Sequence, residues 1–174
     1  AQQALAADPA HTVWVSANAG SGKTHVLTNR VVRLLLQGAE PSKILCLTFT
    51  KTAAAQMSAK VFKQLAVWAL MDDAALNKAL EKLEGVTPNK ARRNEARRLF
   101  ARALETPGGL NIQTIHAFCE RLLHRFPLEA NVPGHFQVLD EAEQSMMMAE
   151  ARTQTQLEAI REPDSAVALA WSAI

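Results

Sequence analysis

The sequence contains no tyrosine, and aromatic residues make up only 5% of its 174 positions. It has two cysteines, Cys46 in an apolar strand pattern and Cys119 in a helical one, without the spacing of a metal site. We interpret both as buried small hydrophobic residues rather than functional thiols. No run of about 18 apolar residues is present, and no charged-then-apolar leader opens the chain. These absences argue against a membrane protein and predict a cytoplasmic one.

The length suits one domain with a sizeable core, or one domain and part of another. The chain starts at Ala1 rather than at a methionine and stops at Ile174 inside an apolar stretch. We therefore expect it to be an excerpt of a larger protein.

The formal net charge of +2 hides a strong asymmetry along the chain. Residues 1–125 carry an excess of eight positive charges, and residues 126–174 carry an excess of six negative charges. The segment 87–103 contains six of the cations and a single acid, Glu95. Such a local excess suits a polyanion such as nucleic acid, although an ordinary solvated helix face explains the charge equally well.

A glycine-rich segment, residues 16–24, reads Ser-Ala-Asn-Ala-Gly-Ser-Gly-Lys-Thr. It follows a short apolar run, Val13–Val15, and precedes a helical pattern, which is the strand–loop–helix context of a phosphate-binding loop. Small residues allow backbone N–H groups to turn toward a phosphate at the positive end of the helix. Lys23 is then expected to reach the β- and γ-phosphates of ATP, and the Thr24 hydroxyl to ligate Mg²⁺.

The first glycine of the general pattern G-x-x-x-x-G-K-S/T is replaced by Ala17. Alanine adds only a methyl group, which costs little where the backbone needs no positive φ. We therefore predict nucleotide binding by the whole loop. Its candidate binding residues are Ala17, Asn18, Ala19, Gly20, Ser21, Gly22, Lys23 and Thr24, followed by His25.

Hydrophobic periodicity and helix-breaking residues predict an α/β fold built on a βαβ unit. The helix after the loop is expected to run from Thr24 to Gln37. Ile44–Phe49 reads as a strand of a parallel sheet covered on both faces, and Leu110–Thr114 as a second strand. Thr87 is expected to cap a helix that has Pro88 at its first position. The further helices are expected at residues 51–70, 73–84, 89–105, 115–126 and 141–161.

The segment Phe136–Glu141 resembles the acidic strand end, called Walker B, that holds Mg²⁺ in many ATPases. Its apolar run is short, contains a glutamine and follows a Pro-Gly turn. Asp140 also has a carboxylate three residues further on, at Glu143, as in a helix capping box. We interpret Asp140 as a helix cap and expect the chain to lack its own Walker B acids.

Two further segments place polar and aromatic residues where a strand ends and a helix begins. They contain Thr48, Phe49, Thr50 and Lys51 in one case, and Thr114 and His116 in the other. Hydroxyls and helix N-termini hold phosphates, aromatic rings stack on bases, and lysine adds charge, so both segments suit single-stranded nucleic acid. At the carboxyl ends of strands they could line one groove. Each is weak alone, since Phe49 suits a core equally well and His116 suits an ordinary helix start.

Together the three segments resemble motifs I, Ia and Ib of the UvrD-like superfamily 1A helicases, in the right order. Residues 14–27 and 112–123 look most like the alphaproteobacterial AddA helicase–nuclease subunits. The resemblance covers nearly the whole chain and thins after about residue 145. It implies an incomplete first lobe of the RecA-like P-loop NTPase fold. Its parts would be the core with motifs I and Ia at 1–58, a partly basic helical insertion at 59–107, a return with motif Ib at 108–140, and the helical start of the next subdomain at 141–174.

The resemblance also implies residue roles. Gln3 lies where the family's glutamine reads adenine, although Gln2 competes for that register. The loop would hold ATP and Mg²⁺, with Lys23 and Thr24 as the catalytic residues. Single-stranded DNA would contact Thr48, Phe49, Thr50, Lys51, Thr114 and His116. Departures from the UvrD pattern are His25, which replaces an arginine near the base, and Lys51-Thr52, which replaces asparagine and lysine.

The function implied by the resemblance is that of an ATP-dependent 3′–5′ DNA helicase in double-strand-break repair. The whole protein would act on single- and double-stranded DNA, with exonuclease activity and an AddB-like second subunit. The chain by itself is expected to be inactive as an ATPase, and its basic insertion to face DNA. The alternatives are a UvrD- or RecB-like repair helicase without a nuclease, a P-loop kinase or metabolic ATPase, and a nucleic-acid-binding module with a relic nucleotide site.

Overall fold

The computed structural model of the chain describes residues 2–18 and 20–172. Helices dominate it, and two short strands form a parallel sheet. In chain order the elements are α1 (Gln2–Ala6), α2 (Lys23–Leu36), the 3₁₀ turn η1 (Pro41–Lys43), β1 (Leu45–Thr48), α3 (Lys51–Leu70), α4 (Asp73–Glu84), α5 (Lys90–Glu105), β2 (Asn111–Thr114), α6 (Ile115–Arg125), α7 (Glu141–Arg161) and α8 (Ala166–Ser172). They divide into two compact units, residues 1–119 and residues 120–174. The candidate site residues belong to the first unit.

Strands β1 and β2 pair in parallel, with Thr48 opposite Thr114. Parallel strands need a long crossover connection, which α3, α4 and α5 supply here. Cys46 packs against the core, whereas Leu45 and Leu47 on the other face are 46% and 44% exposed. The expectation of a strand covered on both faces is therefore wrong. Side chains alternate between the faces of a strand, and α3 covers one face of this sheet within the described residues.

The apolar run Val13–Val15 does not form the expected strand. Residues 12–18 have no regular secondary structure, and Trp14 is 93% exposed. Within the described ranges the sheet consists of β1 and β2. An apolar run becomes a strand only when a neighbouring strand satisfies its backbone N–H and C=O groups, and this run has no such neighbour there.

The helices follow the sequence pattern closely. Helices α3, α4 and α7 begin and end at the predicted residues, and α2 begins one residue early, at Lys23. The predicted cap of α5 is wrong: Asn89 is the N-cap, and its side-chain oxygen accepts from the Arg92 N–H at 2.8 Å. The Thr87 hydroxyl instead donates to a carboxylate oxygen of Glu81 at 3.2 Å. Asparagine caps helices at least as well as threonine, and this one lies directly before the first helical residue.

The core of the first unit lies among α2, α3, α4 and α5. The largest fully buried side chains are Trp68, Leu35, Leu65, Leu76, Leu80, Leu99, Val32 and Val61. They come from all four helices, so the helices expected to form an insertion share one core with the helix that follows the loop. Cys119, by contrast, is exposed on α6, which has no buried side chain. Its interpretation as a buried residue is therefore wrong.

Most of the basic side chains of α5 bond within the fold. Arg92 donates to the Glu84 carboxylate, at 3.0 Å from its Nε, and also to the Leu36 carbonyl. Arg97 donates to Asp73 at 2.7 Å and to the Met71 carbonyl at 2.9 Å. The hydrogen bond from Arg97 is the main cause that lowers the pKa of Asp73. These bonds join α5 to α4 and to the end of α2, which favours a structural role for the basic segment over a DNA-facing one.

Replacing Arg92 with alanine is expected to destabilise the chain by about 1–3 kcal/mol, because it leaves the largely buried Glu84 carboxylate without its charged donor. The free energy of unfolding in urea measures the effect. Arg98→Ala removes the same charge from an exposed position of α5 and is expected to cost less than about 0.5 kcal/mol. Equal losses for the two variants would contradict a structural role for Arg92.

Candidate functional site

The glycine-rich loop leads directly into the first turn of α2. Gly20 and Gly22 adopt left-handed backbone conformations, with φ of 79° and 89°, and Gly22 is the N-cap residue of the helix. Only glycine takes this conformation without strain, so these two positions need it. Among the described residues Asn131 is the only non-glycine with positive φ. Ala17 is therefore unstrained, which explains why alanine can stand at the first position of the pattern.

The Lys23 side chain folds back over the loop. Its Nζ donates to the Ala17 carbonyl at 2.6 Å and to the Asn18 carbonyl at 2.7 Å. The Ser21 N–H also reaches the Asn18 carbonyl, at 3.4 Å. Ala19, another candidate residue of the loop, lies outside the described residues. The loop thus holds its one ammonium group at the entrance to the helix N-terminus, where backbone N–H groups favour an anion.

Thr24 is half-buried in the first turn of α2, and its carbonyl accepts from the Thr28 hydroxyl at 2.8 Å. Its neighbour His25 is exposed and lies 3.1 Å from the Asn29 amide through Nε2. Across the described residues no group of three or more His, Cys, Asp or Glu side chains could hold a metal ion. A Mg²⁺ ion at this loop would therefore depend on the Thr24 hydroxyl and on phosphate oxygens, as in other phosphate-binding loops.

The N-terminal segment is tied to α2 by two arginines that the sequence analysis did not single out. Arg30 donates to the carbonyls of Asp8 and His11 at 2.6 and 2.7 Å. Arg33 forms an ion pair with the Asp8 carboxylate at 3.3 Å. The pKa of Asp8 is lowered, first by the hydrogen bond from the Ala10 N–H and then by Arg33. The signal for this anchor was the spacing of Arg30 and Arg33, one turn apart on a helix whose other face is apolar.

This anchor places both candidate glutamines beside the loop. Gln2 and Gln3 line a cavity of about 410 Å³ together with Ser16, Ala17 and Lys23. The Gln3 Nε2 atom lies 3.6 Å from the position that a Cβ atom would take on Gly22. Gln3 therefore lies directly against the glycine that caps α2.

The two other candidate segments meet at one edge of the sheet, because Thr48 and Thr114 are paired across β1 and β2. The Thr48 hydroxyl donates to the Thr50 carbonyl at 3.0 Å, and the Thr50 hydroxyl accepts from the Ala53 N–H at 3.1 Å as the cap of α3. Thr114 is buried and accepts from the Ala117 N–H at 3.1 Å at the start of α6. The threonines thus orient the first turns of two helices side by side.

The side chains that follow these threonines are open to solvent. Phe49 is 86% exposed, so its alternative interpretation as a core residue is wrong. Lys51 and His116 are exposed as well. The strand pairing therefore brings an aromatic ring, an ammonium group and an imidazole to the same edge. Among the described residues no hydrogen bond or ion pair joins this edge to the loop at residues 16–23.

Asp140 lies in the second unit and caps α7. Its carboxylate accepts from the Glu143 N–H at 2.8 Å, and the Glu143 carboxylate accepts from the Asp140 N–H at 3.1 Å. This is a complete capping box, so the interpretation of Asp140 as a helix cap is confirmed.

These features define a helix-rich α/β protein with a glycine-rich loop of the kind that receives phosphate groups at a helix N-terminus. The model of the UvrD/REP helicase N-terminal domain matches residues 1–170, and the chain belongs to this family. The UvrD-like resemblance seen in the motifs is thereby confirmed. Within the described part of the chain, no helix has the length and apolar character needed to cross a membrane.

Curated relatives are named as A-type subunits of ATP-dependent helicase/nucleases. The protein from Lactobacillus acidophilus is 32% identical over 167 residues, which is 95% of this chain and 12% of the relative. The protein from Lactobacillus helveticus is 34% identical over 143 residues, 82% of this chain and 10% of the relative. That from Lactiplantibacillus plantarum is 31% identical over 147 residues, 84% of this chain and 11% of the relative. The chain thus spans about a tenth of the length of these relatives.

Proposed function

We propose that the chain is the ATP- and single-stranded-DNA-binding N-terminal part of an AddA-like, ATP-dependent 3′–5′ DNA helicase acting in double-strand-break repair. The observation that carries the proposal is the pairing of Thr48 with Thr114, which brings two predicted DNA-binding segments together. Membership of the UvrD/REP helicase family and the names of the relatives support it. The alphaproteobacterial type of AddA stays a prediction.

At the loop, ATP would bind with its phosphates over the N-terminus of α2. The backbone N–H groups around Gly20, Ser21 and Gly22 would hold the phosphates, and Thr24 would ligate Mg²⁺. Lys23 would leave the Ala17 and Asn18 carbonyls and move to the β- and γ-phosphates. Its present position supports this role, because its ammonium group already lies at the mouth of the loop.

The adenine would lie on the side of the N-terminal segment. Gln3 is the better candidate to read it, because its amide lies against Gly22 while Gln2 only shares the cavity wall. His25, the residue after Thr24, would lie close to the base. Arg30 and Arg33 would act as positioning residues, since they hold the segment that carries Gln3.

At the sheet edge, single-stranded DNA would cross the first turns of α3 and α6. Phe49 would stack on a base, Lys51 and His116 would contact phosphates, and Thr48, Thr50 and Thr114 would orient the backbone that faces the strand. Asp140 caps a helix here and supplies no acid for hydrolysis. We therefore propose that the chain alone has negligible ATPase activity, and that hydrolysis, the nuclease and an AddB-like partner belong to the whole protein.

Replacing Phe49 with alanine is expected to weaken the binding of a single-stranded oligonucleotide to the full-length protein by roughly 5- to 150-fold, the value of one lost base stack. Fluorescence anisotropy with a labelled oligonucleotide measures the affinity. Leu70→Ala, which removes an equally exposed apolar side chain at the other end of α3, is the matched control and is expected to have no effect. Unchanged binding by Phe49→Ala would remove the sheet edge from the DNA path.

A repair helicase of the UvrD or RecB type without a nuclease is the second candidate, because the matched region is the helicase N-terminal domain. Exonuclease activity of the full-length protein on linear duplex DNA distinguishes the two. A kinase or metabolic ATPase would leave the exposed Phe49 at the sheet edge without a role.

A further inference from the structure

A groove between α2 and α3 belongs neither to the glycine-rich loop nor to the sheet edge. Its volume is about 250 Å³. Its walls are formed by His25, Thr28, Lys60, Lys63, Gln64 and Val67. Both helices are held by the core of the first unit, through buried residues such as Val32 on α2 and Val61 and Leu65 on α3. The groove is therefore lined by side chains on rigid elements.

The groove is positively charged, and no acid compensates it. Neither α2 nor α3 contains an aspartate or glutamate, and Glu40 is the only acid between Asp8 and Asp72. The exposed ammonium groups of Lys60 and Lys63 form no ion pair within the described residues, whereas Lys43 pairs with Glu40 at 3.0 Å. The arginines of α5 also spend their charge on Asp73 and other partners inside the fold. Lys60 and Lys63 thus keep their charge for a partner outside it.

The spacing of these cations suits a chain of phosphates rather than a single anion. Lys60 and Lys63 lie one turn apart, which is about 4.5 Å along a helix axis. Phosphates recur along one strand of DNA at roughly 3.4 Å intervals. The half-buried Gln64 amide adds a neutral hydrogen-bond donor between the helices, while the Thr28 hydroxyl is already used on the Thr24 carbonyl.

We propose that the groove between α2 and α3 binds the sugar–phosphate backbone of DNA, as a contact outside the two strand-end segments. The inference rests on the proposed function, since it assigns a second stretch of the DNA path to the same motor. Lys60 and Lys63 neutralise phosphates, and Gln64 donates to a phosphate oxygen. His25 directly follows Thr24, so DNA in this groove lies next to the nucleotide site.

The test compares two double variants of the full-length protein. Lys60→Gln/Lys63→Gln removes both cations of the groove but keeps polar side chains of similar length. Lys78→Gln/Lys82→Gln removes two exposed lysines from α4 and is the control with the same change in net charge. The affinity for a single-stranded oligonucleotide is measured for each protein as a function of salt concentration, and the affinity for an ATP analogue is measured in parallel.

The groove variant is expected to bind the oligonucleotide about 3- to 10-fold more weakly near 0.1 M salt, and to lower the slope of log affinity against log salt by about 1.4. The control is expected to behave like the wild type, and the affinity for the ATP analogue to stay unchanged. Equal slopes for the two double variants overturn the inference. A loss of nucleotide affinity without a change in the slope also overturns it, because the groove then serves the nucleotide.

The proposed function and this inference fail in different ways. If the wild-type protein does not bind single-stranded DNA, both are wrong. If the wild type binds and Phe49→Ala weakens binding while Lys60→Gln/Lys63→Gln does not, only the groove is excluded from the DNA path.

Discussion

Replacing Lys23 with alanine is expected to lower the DNA-stimulated ATPase rate of the full-length protein by about 100- to 1,000-fold, the usual cost of removing one preorganised group that stabilises transition-state charge. Phosphoryl transfer is catalysed mainly by positioning and electrostatics, and Lys23 is the only cation among the described loop residues 16–24. Steady-state rates with and without single-stranded DNA measure the effect.

The present geometry explains why the loss should be so large. The Lys23 ammonium is already held within hydrogen-bonding distance of two loop carbonyls, Ala17 and Asn18, so it needs only a short movement to meet a phosphate. Alanine leaves those carbonyls without their cation and leaves the phosphates without a positive partner.

The controls separate catalysis from folding and from DNA binding. Lys78→Ala, on the exposed face of α4, is expected to keep the wild-type rate. Lys23→Ala is expected to retain its affinity for single-stranded DNA, because the sheet edge does not include the loop. Hydrolysis that depends on Lys23 but ignores DNA would favour a kinase or metabolic ATPase. Hydrolysis that survives the substitution would refute the nucleotide site itself.

The second large effect is on stability: Trp68→Ala is expected to lower the free energy of unfolding by about 3–5 kcal/mol. Trp68 is 1% exposed on α3 and is the largest fully buried side chain of the core. Alanine leaves a cavity among helices that cannot close on it completely. Urea denaturation of the chain, followed by circular dichroism, measures the loss.

Trp68→Phe is the informative companion. Among the described residues the Trp68 Nε1 group is buried without a hydrogen-bond partner, so phenylalanine removes no hydrogen bond and spares a desolvated donor. Its cost is expected to be well below that of alanine and limited to the lost volume. Leu104→Ala, at an exposed position of α5, is expected to change stability by less than about 0.5 kcal/mol. A loss for Trp68→Phe equal to that for Trp68→Ala would contradict this account of the indole nitrogen.

Helices and their caps were largely predictable because their signals are local. The bounds of α3 and α4 follow from apolar spacing and breakers, and the capping box of Asp140 and Glu143 needs only three residues of separation. The same holds for the loop, where Gly20 and Gly22 occupy the positions that require positive φ. The wrong cap at Thr87 is an exception of one kind: two good caps lay close together, and Asn89 was nearer to the helix.

The errors concern features that depend on distant parts of the chain. Whether Val13–Val15 becomes a strand depends on a neighbouring strand, and whether Leu45 is covered depends on what packs on the second face of the sheet. The use of the arginines of α5 could not be read from charge alone either, because Arg92 reaches Glu84 and Leu36 only after three helices have packed.

The sequence by itself determined the helices, the glycine-rich loop with Lys23 at its end, and the resemblance to the UvrD-like helicases, because each rests on residue types at short and regular spacing. Tertiary structure alone decided which residues meet. It pairs Thr48 with Thr114, places Gln3 against Gly22 through Arg30 and Arg33, and leaves Lys60 and Lys63 unpaired in the groove between α2 and α3. The physical reason is that contacts between distant segments depend on strand pairing and on how a shared core packs, which no local pattern specifies.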